Sequence, residues 1–155
     1  MVAQKANHRL HQLYEEDETA WLEETASLLA ERRDAELDRA HLIEYLNDLA
    51  RRDKKEVRSR LIELLKHLLK WTFQPSRRTR SWERSIIIQR DELQFDLASK
   101  SLRNFAEEIL PEAYEKAVGQ ATRETGLPRH KFPQQCPYSI DQALAVDVSL
   151  RERPN

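Results

Sequence analysis

Between Val57 and Phe73 the apolar positions follow a helical period over almost five turns. At 100° per residue from Leu64, the side chains of Val57, Leu61, Leu65, Leu68 and Trp71 fall within about 100° of it. Ile62, Leu69 and Phe73 widen that arc to roughly half the circumference. Ser59, Glu63, Lys66 and Lys70 make up the remaining strip, which is expected to face solvent. A helix with so wide an apolar arc packs against several neighbours, so the pattern predicts a central bundle helix. Pro75 cannot continue it and biases Gln74 away from the α region, which places its end at Phe73 or Gln74.

The same period recurs on either side. One helix is expected from Asp17 or Thr19 to about Arg32, with Trp21, Thr25, Leu28 and Leu29 buried and acids crowded into its first turn. A second runs from about Ala35 to Asp53 on the stripe Leu42, Ile43, Leu46 and Leu49, with a kink or short loop expected near Arg52–Lys54. Beyond Pro75, Ser81 is the expected cap of a helix with Trp82, Ile86, Ile87, Leu93 and Leu97 on or beside one face. Ser99 or Ser101 caps a short helix reaching Leu110, and Pro111 opens another that Gly126 closes. The three prolines of LPRHKFPQQCPY predict an irregular strap, and Ser139 with Gln142 a capping box for a last short helix.

The expected fold is therefore all-α: a bundle of about five to seven helices, up-and-down-like, with a proline-rich C-terminal strap. Residues 1–13 read as a polar frayed tail, 14–150 as a single helical domain, and 151–155 as a C-terminal tail. Two glycines in 155 residues leave no room for tight hairpins or a glycine-rich phosphate loop. No stretch reaches the length of a membrane span and no apolar leader segment opens the chain. A single cysteine excludes an internal disulfide and makes a reducing cytoplasm the expected location.

Charge changes this picture more than composition does. The formal net charge is −1, but residues 15–38 carry ten acids against two bases, and residues 51–90 thirteen bases against four acids. Pairing between the two is one expectation; a basic surface for an anionic partner is the other. Arg77, Arg78, Arg80 and Arg84 are the candidate anion-binding residues, since guanidinium forks suit phosphates and carboxylates. No helix-turn-helix, zinc pattern or base-stacking platform accompanies them, so nucleic acid is not the expected partner.

His67, at the edge of the central arc, reads as a helix-boundary histidine bonded to a neighbour. Cys136, in the strap, reads as a packing cysteine. The two are also candidate residues of a common polar cleft. His8 and His11 are three apart in the expected tail, with no third ligand placed by spacing; His41 and Glu44 reverse the order of a carboxylate-bundle motif. His41, His67 and His130 could meet only through the fold. No metal or other cofactor is expected, and no catalytic signature is present.

Several strings go further. D-x-x-x-W-L at Asp17–Leu22, KHLLKW at Lys66–Trp71 and W-E-x-x-I-x-x-x-R at Trp82–Arg90 resemble the family called Domain of Unknown Function 29. So do KSL at Lys100–Leu102 and FPxxCPYS at Phe132–Ser139, so that the likeness runs from about Tyr14 to Leu150. Lys100 stands where the family pattern has proline. The resemblance implies an all-helical bacterial protein, largely of cyanobacteria, and brings no activity, cofactor or site residue with it. The leading expectation is a non-enzymatic protein that works through protein–protein contacts, with homo-oligomer formation open. A histidine-based metal-binding or enzymatic bundle and an anion-binding protein are the alternatives.

Overall fold

The structure is a computed structural model that describes residues 2–150. It holds six α-helices and, among the described residues, no strand. They are α1 (Val2–Glu16), α2 (Glu18–Ala30), α3 (Arg39–Phe73), α4 (Arg80–Asp96), α5 (Lys100–Thr125) and α6 (Ile140–Ala145). The all-α expectation holds; the tail expected over 151–155 lies outside the described residues. The chain gathers into two compact units, Met1–Arg51 and Arg52–Asn155, where one domain over 14–150 was expected. The physical reason is the polar run RRDKKE at 51–56, exposed throughout, which interrupts the apolar stripe of α3.

The first unit corrects the expected tail: described residues of 1–13 are helical and belong to α1. Leu10, Leu13 and Tyr14 are three and four apart, and this one-turn stripe suffices to dock the helix. Leu10 is fully buried with Trp21, Leu28 and Leu37, and Leu13, Tyr14, Leu22, Leu42 and Tyr45 pack around them. Trp21 is the centre, with the rings of Tyr14 at 4.9 Å and Tyr45 at 5.4 Å. Asp17 separates α1 from α2 and caps the latter, its Oδ1 accepting from the Ala20 N–H at 3.0 Å. Arg32, left-handed at φ 56°, ends α2. The Arg33 N–H then reaches the Leu28 carbonyl at 2.9 Å and the Arg32 N–H that of Leu29 at 3.1 Å, which is a Schellman closure.

Helix α3 is continuous over 35 residues, without the short loop expected near Arg52–Lys54. The run RRDKKE contains good helix formers and no breaker, so nothing in it stops propagation. The stripe expected at Leu42–Leu49 is only partly buried: Leu42 packs inward, while Ile43, Leu46 and Leu49 are 61%, 55% and 40% exposed.

In the second unit Val57, Leu61, Leu64, Leu65, Leu68, Leu69 and Trp71 are buried as expected. They share a core with Ile86 and Leu93 of α4, with Ala106, Ile109, Ala113, Tyr114, Ala117, Val118 and Ala121 of α5, and with Phe132, Ile140, Ala143 and Val148. The cap of α4 is Thr79, whose Oγ1 accepts from the Trp82 N–H at 3.2 Å, and not Ser81, which is exposed inside the first turn. Helix α5 passes through Pro111 instead of restarting there. The buried row on both sides of the proline outweighs the lost N–H. Gly126 closes α5 at φ 73°, and the Ser139–Gln142 capping box opens α6.

Lys66 and Lys70 overturn the expectation of a solvated strip, being only 7% and 9% exposed. Lys66 Nζ donates to Glu63 at 3.0 Å and to Glu124 of α5 at 3.1 Å, and Lys70 Nζ to Glu124 at 2.8 Å. Lys70 also lies 4.6 Å from the Trp82 ring centre. Burial raises the Glu124 carboxyl, but the hydrogen bonds from Lys70 and Lys66 outweigh it and hold the group below its ordinary 4.5. A carboxylate with a depressed folded pKa stabilises the fold above its unfolded value, and that contribution disappears as pH falls through the folded value. Acid titration of stability should therefore lose a step below about pH 4.5 in Glu124→Gln, whose neutral stability drops by about 1–3 kcal/mol. Chemical denaturation at a series of pH values measures both effects; a variant with wild-type stability and acid profile would count against this pairing.

Candidate functional site

Three places in the fold carry side chains that the core does not use. The first is the arginine cluster. Arg78 serves the fold: its Nε donates to the Trp71 carbonyl at 2.8 Å, and its guanidinium lies 4.8 Å from the Trp71 ring centre. Arg77, Arg80 and Arg84 are exposed, and among the described residues their side chains have no hydrogen-bond or ion-pair partner. Within residues 1–51 the ion pairs include Arg9 with Glu24, Arg33 with Glu31 and Glu36, and Arg51 with Asp48.

Helical geometry extends the patch. Arg80, Arg84, Ile87, Ile88, Asp91 and Phe95 fall within an arc of about 100° on α4. Ile87 is 45% exposed, Ile88 48% and Phe95 81%. Ile87 was expected on the buried side; Ile86 and Leu93 are buried there, with Trp82 and Leu97 partly buried against the same core. Arg80, Glu83, Arg84 and Ile87 line a shallow depression with Leu150. The arginine end of this face is also the amino end of α4, where unpaired N–H groups add positive potential. Arg80 and Arg84 are four apart and unpaired, a like-charge spacing that costs an isolated helix a few tenths of a kcal/mol.

The second place is the strap. Cys136 lines a cleft of about 550 Å³ with Leu110, Pro111, Tyr114, Glu115, Gln134, Gln135 and Tyr138. Its Sγ donates to the Tyr138 carbonyl at 3.3 Å, and burial pushes the thiol above its ordinary pKa, the opposite of an activated nucleophile. Tyr114 donates to the Pro133 carbonyl at 2.6 Å and is pushed up to about 12 by burial. His67 is not among the lining residues. Its Nδ1 lies 2.9 Å from the Glu63 carbonyl, which can only accept, so that nitrogen carries the proton. Burial lowers the ring's pKa and keeps it neutral. His67 thus bonds to its own helix, while Cys136 packs partly buried in the strap, and the two do not line a common cleft.

The third place is the junction of α1 with the start of α3. Asp38 precedes α3, and its Oδ1 accepts from the His41 N–H at 3.3 Å, while Oδ2 lies 2.6 Å from His41 Nδ1. His11 of α1 places its own Nδ1 3.8 Å from the same Oδ2. The three side chains form a group whose ligand-type atoms lie within 4.8 Å of one another. Neither His67 nor His130 belongs to it. His130 stands exposed on the strap. The sequence reading missed this group because His11 was placed in a tail and Asp38 was not considered. The visible signals were D-x-x-H at Asp38–His41 and H-x-x-H at His8–His11.

These features define an all-α protein with partnerless cationic and apolar surface and no assembled catalytic constellation among its described residues. Among the described residues no helix is long and apolar enough to cross a membrane. The chain belongs to the family described as domain of unknown function DUF29, whose model matches residues 13–148. No curated protein and no solved structure matches it.

Proposed function

We propose that this protein works by binding a partner protein through the outer face of α4, without catalytic turnover. The observation that carries the reading is the composition of that face: unpaired Arg80 and Arg84 at one end, exposed Ile87, Ile88 and Phe95 along the rest. Arginine and aromatic side chains dominate the energy of protein interfaces. The partner it suits presents carboxylates opposite Arg80 and Arg84, with Arg77 nearby in sequence, and an apolar strip opposite Ile87, Ile88 and Phe95. Nucleic acid is the less suited occupant, because phosphate tracking needs a row of cations where this face has isoleucines, Asp91 and Phe95.

A photo-crosslinking amino acid at position 88 of the full chain tests this, with position 108 on α5 as the control. The expected result is a discrete adduct to one acidic protein from position 88 only, reduced at least about tenfold by Arg80→Glu with Arg84→Glu and weakened by salt. Equal labelling from both positions, labelling indifferent to the charge reversals, or an adduct to DNA or RNA overturns the reading. An adduct of twice the chain mass, with dimers in light scattering, replaces it by self-association.

A further inference from the structure

We propose that His11, Asp38 and His41 form a binding site for a divalent first-row transition ion, zinc by preference, that clasps α1 to the start of α3. The carboxylate is the unusual member. Asp38 has a side chain only 7% exposed, yet among the described residues its partners within 4 Å are two histidine rings, with no lysine or arginine paired to it. A buried carboxylate without a cation is costly, and a metal ion is a cation that two imidazoles and a carboxylate can hold.

The geometry is close to what such an ion needs. Ligand atoms about 2.0–2.2 Å from a tetrahedral ion lie roughly 3.3–3.5 Å apart. Asp38 Oδ2 is 3.8 Å from His11 Nδ1 and 2.6 Å from His41 Nδ1, so these two separations suit the ion if one closes and the other opens by less than about 1 Å, and the whole group already lies within 4.8 Å. His41 now shares its Nδ1 proton with Asp38; on binding, that nitrogen turns its lone pair to the ion and the proton moves to Nε2. The His11 and His41 ring centres are 4.5 Å apart, and Tyr14 stacks on His41 at 4.1 Å, which fixes one ring before the ion arrives. His11 is 59% exposed and lines an open depression with Gln4, Asn7, His8 and Ala35. The entry path and the fourth coordination position lie on that side, open to water. Two imidazoles and a carboxylate suit zinc, nickel or copper rather than calcium or magnesium.

Titration of chelator-stripped, untagged full chain with zinc chloride at about pH 7.5, where imidazole is neutral, measures the site. One equivalent should bind, and amide exchange across α1 should slow. His11→Ala removes an exposed ligand without touching the core, and Asp38→Asn keeps a good helix cap while removing the charge. Each should weaken binding at least about tenfold, whereas His130→Ala should leave it unchanged. X-ray absorption of the zinc complex should show nitrogen and oxygen neighbours only. Unchanged affinity in both His11→Ala and Asp38→Asn overturns the proposal, as does wild-type binding no tighter than that of the doubly substituted chain.

Discussion

Trp21→Ala should unfold the first unit while leaving the second intact. Trp21 is fully buried and joins Leu10, Leu28 and Leu37 in a core of four buried side chains. Removing a buried tryptophan costs about 3–5 kcal/mol, and a unit of this size rarely has more than that to lose. The partly buried rings of Tyr14 and Tyr45 would face the void together, so collapse around it cannot restore the contacts. The two cores share no side chain, so amide protection of Val57–Phe73 should persist while that of α1 and α2 disappears. Trp21→Phe is the informative companion. The indole Nε1 is buried with no hydrogen-bond partner among the described residues, so phenylalanine deletes an unsatisfied donor along with some volume. It should cost only about 1–2 kcal/mol. A Trp21→Ala chain that keeps native exchange rates in α1 would refute this account of the first core.

The second large effect is expected at Leu64. It is fully buried in the middle of α3, and α4 and α5 both contribute to the core around it. Leu64→Ala should destabilise the second unit by about 2–5 kcal/mol, the transfer term plus whatever cavity the surrounding side chains fail to fill. Urea unfolding should show a lower midpoint with an unchanged slope. Phe95→Ala is the matched control: 81% exposed, it should shift stability by no more than about 0.5 kcal/mol. The same control separates folding from the proposed docking role, since it removes the largest apolar group of the outer α4 face. A loss of stability at Phe95 comparable to that at Leu64 would mean that this face is not free.

Much of the fold was legible because it is written in local chemistry. The apolar arc of Val57–Phe73, the Pro75 stop, the helix start near Asp17, the Gly126 closure and the Ser139 capping box all depend on residues within a few positions of each other. What was not legible depends on distant partners. Lys66 and Lys70 sit at polar positions of their own helix, and only Glu124, more than fifty residues later, makes their burial tolerable. Residues 1–13 read as a polar tail, and it is packing of Leu10 and Tyr14 in one cluster with Trp21 that holds α1. The continuity of α5 through Pro111 rests on packing that no propensity scale contains. For the candidate sites, the arginine cluster could be read from the chain, but not that Arg78 serves the fold while the side chains of Arg77, Arg80 and Arg84 have no partner among the described residues. The pairing of His11 with Asp38 and His41 required knowing that α1 exists.

Cys136 offers one practical consequence. It is the only thiol in the chain, it bonds back onto the strap, and its raised pKa leaves little thiolate at neutral pH. Alkylation of the folded chain should therefore be slower than that of the unfolded chain, so this thiol reports the integrity of the strap by mass spectrometry without a single substitution.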